Sequence, residues 1–375
     1  MIKVLNILSD SNIGGAGRLL VNYLRNFDRT KFDVAVVLPQ GSDLVPCVAE
    51  TGFSVFEIAH GRDKSFDFAA VREVMAIIRR WQPDIVHTHS SFYGKLAAYL
   101  CGTHSRFYTR HSAFPPSRRL TTFPGRQLNG FVNGVLATDI VAVAEAAKQN
   151  LTDTGVRADR ITVIINGVDE VRRTTDAEQT ALRQSLGIAP DDFVCGISAR
   201  LEPYKGHRYL LEAAKTVLAK HPSTVFLIIG VGSCDAELKA QAASLGIAGR
   251  VIFTGFVDDV APYYNIMHLN LNCSIGTETS SLALSEGYSL SVPAIASDYG
   301  GNPYMVTDGV NGFLVPQRSP EAMAEKIDLL IEDRDLLARL SAGARELYEK
   351  KFTAAAMTRQ LEALYEASVA RRSKR

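Results

Sequence analysis

Two doubly wound α/β domains in series, each a parallel sheet with helices on both faces, are the fold the sequence predicts, and three observations predict it. Short runs of β-branched and other apolar residues alternate with helix-period segments along the whole chain. Most of these runs are apolar at consecutive positions, as strands are when both faces of a sheet are covered. The alternation then begins again after a turn-forming cluster near position 166. Strand, helix, strand in repetition means a parallel sheet, and a chain of 375 residues has room for two domains at ~150 residues each.

In the first half, strands are expected at 4–8, 34–38, 54–58, 85–87, 106–109, 140–143 and 162–165, with amphipathic helices at 17–27, 68–80 and 94–101 among the segments between them. Asn166-Gly167-Val168-Asp169 reads as the boundary, giving domains 1–169 and 170–354, and the polar, Thr-rich stretch 170–179 reads as a linker. The second half offers strands at 193–198, 225–229, 251–254, 269–273 and 294–297.

Apolar residues at 46% and charged residues at 22% exclude a disordered chain. Forty-one basic against forty acidic residues leave a net charge of +1, which argues against a general nucleic-acid binder. Five dispersed cysteines without a CxxC pair point to a reducing compartment and away from a disulfide framework or zinc knuckle. The opening apolar run is cut short by Asp10, unlike a signal peptide, and no run reaches the ~18 residues of a spanning helix. A cytoplasmic protein is expected. Charge is unevenly spread: residues 85–138 contain no acid but six basic side chains, whereas 251–366 hold sixteen acidic and eight basic ones.

Asp10-Ser11-Asn12-Ile13-Gly14-Gly15-Ala16-Gly17-Arg18 follows the first strand. Its glycines allow a sharp turn and close approach to a ligand, and a helix starting near Gly17 directs free N–H groups to the same place. Neither a Walker loop nor GxGxxG is present, so Gly14 and Gly15 are either anion-binding positions or a plain tight turn. Ser198-Ala199-Arg200-Leu201-Glu202-Pro203-Tyr204-Lys205-Gly206 places Arg200 and Lys205 beyond the carboxyl end of a parallel strand, where open α/β sheets bind ligands. A guanidinium fork and a mobile ammonium suit a diphosphate; the alternative is two solvated loop charges. Gly230-Val231-Gly232 is a lone GxG, placed to let a nucleotide lie against the backbone.

Glu278 lies in the loop after a strand, with Thr279 or Ser280 as the expected N-cap and Glu286 two turns inside the helix. Two carboxylates at different depths suit sugar and ribose hydroxyls. Alternatively, Glu278 favours the helix N-terminus and Glu286 is merely exposed. His87 and His89 alternate onto one side of a strand, and His111 ends the next. With no carboxylate or cysteine near them in sequence, a metal site is not supported; a hydrogen bond to a substrate oxygen is, with His111 the favoured residue. Asp333 and Asp335 are expected inside a charged surface helix, and so form no metal-nucleotide motif.

Taken in order, Gly14-Gly15-Ala16-Gly17, Pro83-Asp84-Ile85-Val86-His87, His111, Asn166-Gly167-Val168-Asp169, Arg200-Leu201 with Lys205-Gly206, Glu278-x7-Glu286, Pro293, Gly300-Gly301-Asn302-Pro303 and Asp308-Gly309-Val310-Asn311-Gly312-Phe313-Leu314-Val315-Pro316 resemble the retaining glycosyltransferases of family 4, which have the GT-B fold. The resemblance implies two Rossmann-like domains facing across a cleft, hinged at 166–179, with a last helix (355–370) packing back on the first. It implies a hexosyl unit moved, with retention, from a nucleoside-diphosphate sugar to a carbohydrate or glycolipid acceptor in surface polysaccharide synthesis. Arg200 and Lys205 would neutralise the diphosphate, helped by Gly14 and the Gly15 amide. Glu278 would hold sugar hydroxyls and Glu286 the ribose. Ser280, Ser281, Leu282, Gly230 and Gly232 would complete the donor site, and His111 would sit at the reacting centre. No metal or other cofactor is implied, the two cations taking a metal's place at the leaving phosphate.

Residues 114–126 interleave aromatic and basic side chains inside the acid-free span. His89, Arg118, Arg119 and Arg126 are assigned to the acceptor side, where such a loop suits an anionic membrane surface at the inner face of a membrane. Tyr304 stands where the family usually has Glu, and Ala144 where it usually has Ser. A nucleotide-sugar epimerase on the same scaffold and a two-domain solute-binding protein are the alternatives.

Overall fold

A computed structural model describes residues 1–89 and 91–373 of the chain. It divides into two compact units, Met1–Val168 joined by the C-terminal stretch from Ala354, and Asp169–Thr353. The first unit contains β1 (Ile2–Leu8), β2 (Phe32–Pro39), β3 (Ser54–Ile58), β4 (Ile85–His89), β5 (Ser105–Arg110), β6 (Asp139–Ala142) and β7 (Ile161–Val163). They form one parallel sheet in the order β3-β2-β1-β4-β5-β6-β7. Helices cover both faces: Val4 and Leu8 of β1 join one buried cluster, Leu5 and Ile7 another. This is why the strands read as continuous apolar runs.

Capping chemistry sets several helix limits. The helix Phe68–Trp81 starts where the Asp67 side chain accepts from the Ala69 and Ala70 amides, and stops where Gln82 turns left-handed at φ 52°. The C-terminal helix, Ala354–Ser373, presents Met357, Leu361 and Tyr365 at every fourth position, all fully buried in the β1–β2 core with Tyr23, Phe27 and Phe32. Burying each such side chain contributes about 1.5–3 kcal/mol. Polar contacts fix its register: Glu362 accepts from the Asp28 amide at 2.7 Å, and Ser368 Oγ donates to Ser105 Oγ at 2.9 Å.

The second unit contains β8 (Phe193–Ser198), β9 (Thr224–Ile229), β10 (Val251–Gly255), β11 (Leu269–Asn272), β12 (Ala294–Ser297) and β13 (Gly312–Val315). These form a parallel sheet in the order β10-β9-β8-β11-β12-β13. In both sheets the strand order reverses once, between β1 and β4 and between β8 and β11. Crevices beyond the carboxyl ends at such reversals are where doubly wound sheets bind ligands.

The structure departs from the sequence reading in six places. The first glycine-rich helix begins at Gly15, not Gly17. Stretch 170–179 is not a loose linker: Thr175 and Glu178 form a capping box that opens the helix Asp176–Ser185, and Thr174 is buried with its amide bonded to Asn265 Oδ1 at 3.1 Å. Residues 114–126 are partly helical, in Arg118–Thr121 and the start of Gly125–Leu136. Asp333 is no interior helix residue; its side chain accepts from the Leu336 amide and caps Arg334–Leu347. Ser281, rather than Thr279 or Ser280, caps Leu282–Ser289, which places Glu286 one turn in, half-buried. β13, its apolar residues set between Gly312 and Pro316 in a turn-forming stretch, is not among the expected strands.

Candidate active site

In the second unit the chain leaves β8 through Ala199 and Arg200 into a 3-10 turn, Pro203–Lys205. Gly206 ends that turn at φ 71°, with the Cys273 carbonyl oxygen 2.0 Å from where a Cβ would stand. No larger residue fits, and the close approach brings the turn onto the end of β11. Lys205 Nζ thereby donates to Glu278 Oε2 at 2.9 Å, across the strand-order reversal. The same oxygen accepts from Ser274 Oγ at 2.7 Å and Asn272 Nδ2 at 3.0 Å. Asn272 is held in turn by Asn302, whose amide donates to its Oδ1 at 3.3 Å.

Glu278 is 7% exposed while the Lys205 side chain is 19% exposed, so the carboxylate lies beneath and the ammonium nearer the surface. Burial alone would raise the Glu278 pKa. The Lys205 charge and the hydrogen bonds from Lys205, Ser274 and Asn272 outweigh it and hold the carboxyl below its ordinary value. Lys205 and Glu278, expected from sequence to meet separate ligands, are one hydrogen-bonded unit in the structure.

The other candidates in this unit lie on the same loop as Lys205, on the connection after β9, and at the start of the helix after Glu278. Arg200 is exposed, its guanidinium 5.8 Å from the Tyr204 ring centroid. Gly230 and Gly232 lie against the Arg200 loop: a Cβ at either would meet the Ala199 or Leu201 carbonyl oxygen at 2.2 and 2.3 Å. Their missing side chains therefore let that loop sit where it does. Gly300 and Gly301 do the same for Glu278, with a Cβ at Gly301 falling 1.3 Å from the Thr279 carbonyl oxygen. Composition gave no hint of that positioning role. Ser281 Oγ accepts from the Leu284 amide, Ser280 Oγ lies 3.7 Å from Met305 Sδ, and Leu282 is the first residue of the helix carrying Glu286.

In the first unit, Gly14 precedes the helix Gly15–Asn26, which has no side-chain cap and no acid in its first turn. Gly15 has no neighbour within 4 Å of a built Cβ, so the ground beside it is open. His87, His89 and His111 stack, with ring centroids 4.4 Å apart for the first pair and 5.1 Å for the second. His89 Nδ1 and His111 Nε2 are hydrogen-bonded at 2.9 Å, so these nitrogens face each other instead of converging on an ion. Among the described residues no group of three or more His, Cys, Asp or Glu side chains could hold a metal. Burial, followed by the Arg110 charge, lowers the His111 pKa to about 4. Burial, with His111 next, lowers that of His87 to about 3. Both rings are neutral at pH 7.

Arg118 and Arg119 are exposed, beside Phe123 at 82%, Phe131 at 69% and Leu128 at 63% exposure. Arg126 is spent differently: its Nε and Nη2 donate to the Asp153 and Thr152 carbonyls at the end of the helix Glu145–Asp153. Tyr304 is half-exposed, and Ala144 opens the Glu145–Asp153 helix with no side-chain cap bond. Among the described residues no helix is long and apolar enough to cross a membrane.

Because the unfolded chain takes up protons near pH 6.5 that these native imidazoles refuse, first-unit stability should fall as pH drops from 7 to 5.5 and rise again on return. The thermal midpoint against pH measures this. His111→Gln should flatten the slope, and an unchanged slope would contradict the buried neutral state.

Two family models match the chain in succession: Glycosyltransferase Family 4 over residues 13–172, and Glycosyl transferases group 1 over 178–347. The putative glycosyltransferase EpsD of Bacillus subtilis is 27% identical over 80% of this chain and 81% of its own length. The UDP-Gal:alpha-D-GlcNAc-diphosphoundecaprenol alpha-1,3-galactosyltransferase of Escherichia coli is 23% identical over 89% of both chains. In fold, the chain is like Anabaena HepE in complex with UDP, at a TM-score of 0.84 and 22% identity over 98% of this chain and all of that one. A Rickettsia africae glycosyltransferase gives 0.85 at 20% identity, over 98% and 99%. With both halves matched in family order and the GT-B fold in place, the chain belongs to glycosyltransferase family 4.

Proposed function

We propose that the protein transfers a hexosyl unit from a UDP-sugar to a carbohydrate or glycolipid acceptor, with retention of configuration and without a metal. The Lys205–Glu278 pair carries this reading. A carboxylate anchored by two further donors, Asn272 and Ser274, holds the Lys205 ammonium near the surface, with an exposed guanidinium on the same loop. Such a preset positive field meets the charge that develops on a departing diphosphate, with no reorganisation needed as the bond breaks. Glu286, one turn into its helix, is assigned the ribose, and the Glu278 carboxylate the sugar hydroxyls. Neutral His111 is assigned a hydrogen bond at the reacting centre, and the uncapped Gly15 amide a further contact to phosphate, while Gly14 shapes the turn by donating its own amide to the Asn12 carbonyl at 2.9 Å. UDP as the nucleotide is supported by the relative that uses UDP-Gal and the fold neighbour that binds UDP.

UDP should raise the thermal midpoint of the full-length protein in the presence of a chelator. Product formed from UDP-sugar should carry the sugar on an added acceptor with the donor's anomeric configuration. No midpoint shift without metal, or isomerised donor with no transfer, would overturn the reading.

The acceptor is assigned to a lipid-water interface in the cytoplasm, at the inner face of a membrane. Exposed Phe123, Leu128 and Phe131 with Arg118 and Arg119 offer apolar wedges and cations together, each cation contributing roughly 1 kcal/mol near anionic headgroups. Vesicles containing anionic lipid should sediment the protein at low salt. Phe123→Glu with Phe131→Glu should abolish that while sparing UDP binding; undiminished sedimentation would remove this surface from the account.

A further inference from the structure

We infer that Asn6 and His89 set the proton position on His111, making them positioning residues for a ring that the proposed function places at the reacting centre. Asn6 lies in the middle of β1, between Val4 and Leu8 of a buried apolar cluster and in register with His87 of β4, and is 1% exposed. A buried amide costs free energy unless its polar atoms are hydrogen-bonded. Its Oδ1 faces His89 Nε2 at 3.1 Å, while its Nδ2 has no partner among the described residues.

A carbonyl oxygen only accepts, so the His89 proton sits on Nε2. The neutral ring's Nδ1 is then a lone pair, and it meets His111 Nε2 at 2.9 Å. That contact is a hydrogen bond only if His111 also carries its proton on Nε2. His111 Nδ1 is then the ring's accepting nitrogen. Two hydrogen bonds thus transmit one choice, made by an amide oxygen in β1, to the ring beyond the end of β5. The ordering is the kind that a second residue imposes on a catalytic or metal-bound imidazole through its far nitrogen.

The column has a fixed floor. His87 is held between two hydroxyls, Tyr365 Oη at 2.5 Å from Nδ1 and Thr109 Oγ1 at 2.6 Å from Nε2. Its ring stacks on His89 at an interplanar angle of 25°. Tyr365 is itself wedged edge-on against Phe107, with centroids 4.9 Å apart. The C-terminal helix therefore fixes the plane of the lowest imidazole, stacking carries that plane upward, and Asn6 sets the protons.

Histidine-labelled full-length protein, examined by two-bond proton–nitrogen correlation NMR at neutral pH, reads which ring nitrogen is protonated at each site. His89→Gln and His111→Gln identify the two signals among the eight histidines. Both rings should appear as a single Nε2–H tautomer; a proton on Nδ1 of either overturns the inference. Asn6→Leu removes the acceptor and the orphaned amide together and strands the His89 Nε2–H, so the protein should stay folded with a thermal midpoint that is unchanged or slightly lowered while His111 becomes a mixture of tautomers. Turnover should then fall roughly tenfold or more with the donor KM within about twofold. A single unchanged His111 tautomer in Asn6→Leu also overturns the inference. Should the tautomers behave as stated while His111→Gln keeps full turnover, the role given to His111 under the proposed function fails and the proton assignment stands.

Discussion

An ion pair between Lys205 and Glu278, set where strand order reverses in the second sheet, is the contact on which the rest of that unit's active end depends. Buried pairs add little net stability, since desolvation offsets most of the attraction, whereas removing one partner strands the other. Stability alone therefore gives small reason to keep this one. Its asymmetry gives a better reason: Glu278 is sealed below by Asn272 and Ser274, and the ammonium sits nearer the surface with only part of its hydrogen-bonding capacity spent. Under the proposed function, the cost of gathering charge is met during folding, before any substrate arrives.

Glycines at three separated points make the pair possible. Gly206 lets the 3-10 turn reach the end of β11, Gly230 and Gly232 let the Arg200 loop settle onto the next connection, and Gly300 and Gly301 back the Glu278 loop. In each case backbone occupies the space a Cβ would need. The first unit solves a different problem at its own reversal point, where β4 brings the buried imidazoles of His87 and His89, and the end of β5 the half-buried His111, together with the buried Asn6 amide. There the hydrogen-bond pattern and stacking do the ordering, and no charge is gathered.

Much of this was legible in the residues. Continuous apolar runs named twelve of the strand positions because two-sided burial leaves no other pattern, and Arg200, Lys205 and Glu278 stood out by their place after strands. What failed to show had physical causes. The apolar residues of β13, Phe313-Leu314-Val315, are hemmed between Gly312 and Pro316 in a turn-forming stretch. The Thr-rich stretch after Asp169 looked like a linker because capping boxes and linkers draw on the same polar residues. The mutual engagement of Lys205 and Glu278, seventy-three positions apart, needs the β8–β11 adjacency, which no local pattern encodes. Asn6 was invisible for the opposite reason: a single polar residue in an apolar strand is a weak signal until its neighbour across the sheet proves to be histidine.

The most direct test of the ion pair as the organising contact is a double-mutant cycle on UDP affinity, measured by titration calorimetry with full-length wild type, Lys205→Ala, Glu278→Ala and the double variant. If the pair acts as one unit, each single change weakens binding and the double is no weaker than Lys205→Ala alone, a coupling of more than about 1 kcal/mol. Losses that simply add would show two independent residues and contradict the account.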